Sequence, residues 1–139
     1  GGSRHLHLGV DLGGPVGTAV HAFAGGRILH QGYNPADGDY GHVVVTEHKL
    51  KGRDLFVLHG HLSQSSLGLR QPGDTFSAGQ VIGWLGAETE NGGWPPHVHF
   101  QLSWERPETH DMPGAVAPAD REVALKRYPD PRLVLGPLW

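Results

Sequence analysis

At 139 residues the chain is the length of one ordinary domain, able to bury about 70% of its unfolded surface, and a two-domain organisation is not expected. Eleven Lys and Arg stand against fourteen Asp and Glu, a net charge of −3, and no basic run is interleaved with aromatics, so the expected partners include no nucleic acid and no membrane. No apolar run approaches the roughly 20 residues that span a bilayer, and the absence of cysteine removes disulfides, thiolate metal sites and cysteine nucleophiles while leaving the compartment open.

Gly1-Gly2-Ser3 carries no periodic pattern and reads as a cloning remnant outside the fold. Beyond it, 22 glycines and 11 prolines punctuate short runs of Val, Ile, Leu, Phe and Thr along the whole length. That pattern predicts an all-β, antiparallel domain. Strands are expected over Leu8 to Leu12, Ala19 to Phe23, Gly26 to Gln31, His42 to His48, Asp54 to Leu62, Gln80 to Leu85 and His97 to Trp104. Asn34-Pro35-Ala36-Asp37-Gly38 and Lys51-Gly52 supply hairpin turns. One short helix is expected over Pro118 to Tyr128, opened by Pro118 and stopped by Pro129. Glu105 to Pro118 is polar and reads as irregular, and Asp130 to Trp139 as a final apolar strand, so residues 4–104 form the core and 105–139 a C-terminal extension packed on it.

Histidine is the unusual residue, at 11 copies, and neutral imidazole is the commonest protein ligand for zinc. In His97-Val98-His99 the two rings are two residues apart, so on a strand both look into one cleft while Val98 and Phe100 face the core. His7-Leu8-Gly9-Val10-Asp11 sets a histidine and a carboxylate four residues apart in glycine-rich, extended sequence, where they converge if the chain curves around a common point such as a cation. Two imidazoles and one carboxylate leave a fourth tetrahedral position for water, the open arrangement of a catalytic zinc. Manganese, cobalt or nickel could occupy the same ligands. Leu58-His59-Gly60-His61-Leu62 reads as a second same-face histidine pair. If His99 binds metal, His97 and either His59 or His61 are left to handle protons and developing charge. A cupin-type site would need a Glu closer to the histidine pair than Glu105, and no helix carries the paired histidines of a zincin.

These pieces, in this order, resemble the M23 family of zinc metallopeptidases, the lysostaphin-like or LytM-type domains. The likeness runs from His7-Leu-Gly-Val-Asp11 through Gly17-Thr-Ala-Val20, Leu58-His-Gly-His-Leu-Ser63 and Gly79-Gln-Val-Ile-Gly83 to Pro96-His-Val-His-Phe100. The resemblance implies a groove-bearing antiparallel β fold, His7, Asp11 and His99 as ligands of Zn2+, and His61 and His97 as catalytic imidazoles. It implies a water on the zinc attacking a peptide carbonyl, in peptides of the peptidoglycan type or rich in glycine. His59 stands where the family commonly has an aromatic, and the loop Ala87-Glu-Thr-Glu-Asn-Gly-Gly-Trp-Pro95 departs from the family's small Ser/Thr/Gly-rich loop. That loop and the tail from Tyr128 to Gly136 look more like the M23-like domains embedded in bacterial fusions of a phosphotransferase-like domain and a class III aminotransferase. In that setting neighbouring domains of a multidomain parent become partners and the compartment cytoplasmic, whereas a stand-alone cell-wall hydrolase would be secreted or periplasmic. Two other functions are open to the same residues: a non-hydrolytic metal-bearing peptide-binding or regulatory module, and a hydrolase of amide metabolites.

The remaining histidines have plainer readings. His21, His30 and His42 are expected on the rim or surface, His110 in a solvated loop, and His5 near the metal only as an outer group. His48 is expected either buried and hydrogen-bonded or fixing a ligand's tautomer. The four tryptophans read as packing or groove-wall residues, Trp94 lining the cleft, and Gly13-Gly14 lacks the context of a phosphate-binding loop.

Overall fold

A computed structural model of the chain describes residues 6–7, 9–35, 38–91, 93–112, 115–116, 127–131 and 134; for Leu6, His7, Val10, Ala115 and Val116 it describes the main chain only. Among these residues the strands are β1 (Leu6–His7), β2 (Val10–Gly13), β3 (Ala19–His21), β4 (Gly26–Asn34), β5 (Gly41–Leu50), β6 (Arg53–Leu62), β7 (Thr75–Phe76), β8 (Val81–Trp84), β9 (His97–Ser103) and β10 (Ala115–Val116), with a 3₁₀ turn over Gln64–Gly68. All strand pairings are antiparallel, and the all-β class read from the sequence is what the chain adopts.

The main sheet has the order β2-β9-β6-β5-β4-β7, and the pairs β3-β8 and β1-β10 stand apart from it. Val43, Val44 and Val45 in β5 and Leu55 to Leu58 in β6 are buried on both faces, which is why these two β-branched and apolar runs form the middle of the sheet. Lys51 and Gly52, both at positive φ, make the two-residue turn that joins them, a backbone twist suited to a tight hairpin. On one face Tyr40, Val43, Val45, Phe56, Leu58, Met112 and Tyr128 pack together. On the other, Val44, Leu62 and Val98 meet Ala22, Ile82 and Leu85 around the β3-β8 pair, beside a third group of Leu55, Val57, Phe100 and Leu102.

Three short strands escaped the sequence, the first being Leu6–His7, which lies before the expected start at Leu8. Thr75–Phe76 is too brief to show alternation, and Ala115–Val116 falls inside the stretch read as irregular yet pairs with Leu6–His7. The expected helix over Pro118 to Tyr128 and the expected strand over Asp130 to Trp139 lie outside the described residues for most of their length. No helix among the described residues is long and apolar enough to cross a membrane.

Candidate active site

Three adjacent strands lay the site out in rows. Asp11 of β2 and Gly60 of β6 both pair with His99 of β9, and Gly13 pairs with His97. Directly opposed residues of an antiparallel pair share a face, so Asp11, His97 and His99 look into one cleft, as the two-residue spacing of His97 and His99 predicts. Gly60 contributes no side chain to the row, and the space is filled by Tyr40, whose ring carbons lie 3.0 to 3.3 Å from where a Cβ at Gly60 would stand. His99 Nδ1 is 3.2 Å from Asp11 Oδ1, and His97 Nε2 is 3.6 Å from the same oxygen. His99 is buried while Asp11 is 47% exposed, so the carboxylate opens the site to solvent.

The second histidine pair corrects a reading by alternation. His59 and His61 do not share a face. Across β5 and β6, His42 pairs with Leu62 but Val44 pairs with His59, so Gly60 and His61 oppose Val43 alone. This is a β-bulge, which inserts a residue and re-aims the side chains beyond it. His61 takes φ 65°, a left-handed conformation that costs a non-glycine residue about 1–2 kcal/mol. Its amide donates to Tyr40 O at 2.6 Å. The inversion carries the His61 ring into the cleft, 4.3 Å from the His97 ring and 6.3 Å from that of His99. His59 stays on the opposite face, edge-on to Phe100, with Nδ1–H donating to Val44 O at 3.1 Å.

The ring nitrogens are sorted by their partners. His61 Nδ1–H donates to Asn91 O at 2.7 Å and His97 Nδ1–H to Pro95 O at 2.6 Å, so in both rings Nε2 is the basic nitrogen. His99 faces an acceptor on each side, Gln101 Oε1 at 2.8 Å from Nε2 and Asp11 Oδ1 at 3.2 Å from Nδ1, and a cation held between Nδ1 and Asp11 goes with the tautomer whose Nε2–H donates to Gln101. Burial pulls the His61 pKa down to about 4, and the neighbouring His97 and His99 rings add to the effect, against the opposing Asn91 bond. His61 is therefore neutral at pH 7. Burial, helped by Asp111 and Asp39, pushes the Tyr40 hydroxyl up, and it donates to Met112 O at 2.9 Å.

The loop after β8 forms one wall. Trp94 is 41% exposed, its ring 5.8 Å from His61 and 6.2 Å from His97, and its Nε1–H donates to Asp39 O at 3.2 Å. It lines the cleft as expected. Tyr40 and the loop residue Asn91 carry no signal in alternation or spacing, because each acts through a fold-dependent contact, whereas Gln101 continues the same-face spacing of His97 and His99 along β9.

Other histidines lie elsewhere. His48 is buried between Phe23 and Phe76 and bonded to Thr46 Oγ1 and Gly25 O, the buried alternative of its two readings. His42 is buried rather than at the rim, stacked on Tyr33 with Nδ1–H on Glu90 O. His110 is not simply solvated either, because its ring lies against Gly32, where a Cβ would meet it at 2.5 to 2.7 Å. His21 is exposed and bonded to Gly79 O, and His30 is half-buried on Pro107 O. His5 lies outside the described residues.

Residues 5–111 match the model of peptidase family M23. The chain belongs to peptidase family M23. It is 32% identical over 96 residues to lysostaphin of Staphylococcus simulans, covering 69% of this chain and 18% of that protein. It is 34% identical over 95 residues to the glycyl-glycine endopeptidase ALE-1 of Staphylococcus capitis, covering 68% of this chain and 24% of that one. The chain thus spans a quarter or less of these relatives' lengths. The crystal structure of the catalytic domain of the prophage-encoded M23 protein EnpA from Enterococcus faecalis superposes with a TM-score of 0.60 at 25% identity, covering 86% of this chain and 81% of that one.

An M23 domain implies a zinc ion, and the donors suit one. Neighbouring ligand atoms around a tetrahedral zinc, each about 2.0–2.1 Å from it, are about 3.3 Å apart. Asp11 Oδ1 and His99 Nδ1 are 3.2 Å apart, and the hydrogen bond from His99 Nε2 to Gln101 fixes the tautomer that presents Nδ1. Among the described residues no three His, Asp or Glu side chains close around one cation position. The third expected ligand, His7, has a described main chain on β1, and its side chain lies outside the described part of the molecule.

Proposed function

We propose that this M23 domain is a zinc-dependent endopeptidase or amide hydrolase, with His7, Asp11 and His99 holding the metal and His61 and His97 serving as the catalytic imidazoles. The observation that carries the reading is the pair of rings at 4.3 Å, each anchored through Nδ1–H to a main-chain carbonyl, beside the Asp11–His99 donors. Such anchoring is what a general base needs, since it fixes both tautomer and direction. Bound zinc supplies Lewis-acid polarisation of the scissile carbonyl and lowers the pKa of the attacking water.

The chain's own groups supply the proton path. His61, kept neutral by burial, accepts the water proton at Nε2. The resulting N–H is then the donor for the leaving nitrogen, so the proton taken from water ends on the new amine. His97 stands beside it with its basic Nε2 toward Asp11, placed to accept a hydrogen bond from the attacking water and so direct it at the carbonyl carbon. Trp94 and Tyr40 limit solvent around the pair.

The substrate class we assign is a peptide of the peptidoglycan type or one rich in glycine, which the glycyl-glycine endopeptidase name of ALE-1 supports. Incubation of the zinc-loaded domain with purified sacculi and with a panel of glycine-rich peptides, read by mass spectrometry, tests it. New termini at defined peptide bonds are the expected result. Cleavage confined to small amide metabolites would replace this substrate class with metabolite hydrolysis. Peptide binding without cleavage of any bond would make the domain a binding or regulatory module of a larger protein.

A further inference from the structure

We infer that Asn91 is a positioning residue for His61, setting the tautomer and direction of that imidazole through its own main-chain carbonyl; the role rests on the hydrolytic reading above. Asn91 is completely buried, and its amide is used at every valence the loop offers. Nδ2–H donates to Gly86 O at 3.1 Å and to Trp94 O at 2.9 Å, while Oδ1 accepts from Gly93 N at 3.1 Å and Trp94 N at 2.9 Å. A buried amide so satisfied is costly to misplace, because any rotation strands a polar group away from water. The side chain therefore folds the turn around itself and fixes where its own carbonyl points. That carbonyl is the acceptor of His61 Nδ1–H at 2.7 Å.

Two further contacts hold the turn against the sheet. The preceding carbonyl, Glu90 O, accepts from His42 Nδ1 at 2.9 Å, and Glu90 Oε1 accepts from Gln64 N at 2.8 Å. Gly41, at φ 62°, lets the main chain of Asn91 come so close that a Cβ at position 41 would lie 2.6 Å from Asn91 Cα and C. His61 has particular need of such an anchor. It sits on a bulge in a left-handed conformation, where regular strand geometry no longer dictates its direction.

The test compares the wild-type chain with Asn91→Ala and Asn91→Asp, using histidine-selective ¹⁵N labelling and two-bond ¹H–¹⁵N spectra to read ring tautomers, alongside steady-state kinetics of the zinc-loaded protein. Wild-type His61 is expected as the Nδ1–H tautomer. In Asn91→Ala that signature gives way to a tautomer mixture while His59, bonded to Val44 O on the far face, keeps its own; kcat falls at least tenfold with KM within twofold and zinc content unchanged. Asn91→Asp keeps the acceptor for Gly93 and Trp94 but loses both donors, so it is expected to lie between the two and serves as the readout if Asn91→Ala does not fold. An unchanged His61 tautomer in a folded variant overturns the inference, as does a change that spreads equally to His59. The tautomer readout needs no turnover, so a His61 shift in a domain that cleaves nothing would keep the Asn91 role and sink only the hydrolytic reading.

Discussion

Replacing Gly9 by alanine would set a methyl carbon 2.6 Å from His99 Nε2, 2.7 Å from Cε1 and 2.8 Å from Phe100 O. Ordinary contact begins near 3.4 Å, so the imidazole must retreat by about 0.8 Å or the β2–β9 pairing must open by a similar amount. The ring has little room to do so. Its Nε2–H is held by Gln101 Oε1 at 2.8 Å, and Tyr40 covers it at a centroid distance of 4.9 Å. Moving it breaks the first contact and widens the 3.2 Å separation between Nδ1 and Asp11 Oδ1. Loss of such an orienting bond weakens a metal site by about 10–100-fold, equal to about 1.4–2.7 kcal/mol. Competition with a chromogenic chelator measures the zinc affinity of Gly9→Ala against wild type. Gly13→Ala, at the far end of β2, is the control, since its added methyl meets nothing nearer than Pro96 O at 3.8 Å. Melting curves in excess chelator separate metal loss from unfolding. A folded Gly9→Ala domain that binds zinc within twofold of wild type would refute the reasoning.

Burial and backbone geometry set the other expectations. Burial lowers the His59 pKa from 6.5 to about 3, so above pH 6.5 the ring is neutral in both states and adds no pH dependence. Below that, the unfolded chain takes up a proton the folded one refuses, and His59 alone lowers stability by about 2 kcal/mol between pH 6.5 and 5; denaturant titrations of the metal-free domain should show at least this slope, since burial lowers His61 and His48 too, and show it reduced by about that amount in His59→Gln. Leu58 is fully buried against Val45 and Phe56, so Leu58→Ala should cost about 2–5 kcal/mol in the same titrations. Gly41→Ala combines a positive φ with the clash against Asn91; it should lower both the melting temperature and turnover, read by calorimetry and peptide cleavage, even though Gly41 touches no proposed ligand.

One row of the site was legible because His97 and His99 obey a simple period. His97 and His99 are two apart on a regular strand, and the register brings Asp11 opposite His99. His61 was not legible from alternation, which groups it with His59. Only the family likeness favoured it, and the reason emerges in the bulge and the left-handed residue that invert the strand after Gly60. A bulge is a property of two paired strands, so one strand's sequence does not announce it. Asn91 and Tyr40 escape for a similar reason. The first works through a turn that closes on itself, and the second fills a gap that exists only because Gly60 has no side chain. The central strands, by contrast, were readable within a few residues, since Val43-Val44-Val45 and Leu55 to Leu58 are apolar enough to demand burial on both faces.

The most direct test titrates zinc into the metal-free domain while following cleavage of a glycine-rich peptide, for wild type and for His61→Ala and His97→Ala. Activity should rise linearly to a plateau at one zinc per chain in the wild type. Both variants should bind zinc with the same stoichiometry and turn over at least 100-fold more slowly, in keeping with the roughly 10²–10⁴-fold contribution of a positioned acid–base group. Full zinc loading with wild-type turnover in either variant would contradict the role given to that histidine, and full loading of the wild type with no peptide cleaved would contradict the peptidase reading itself.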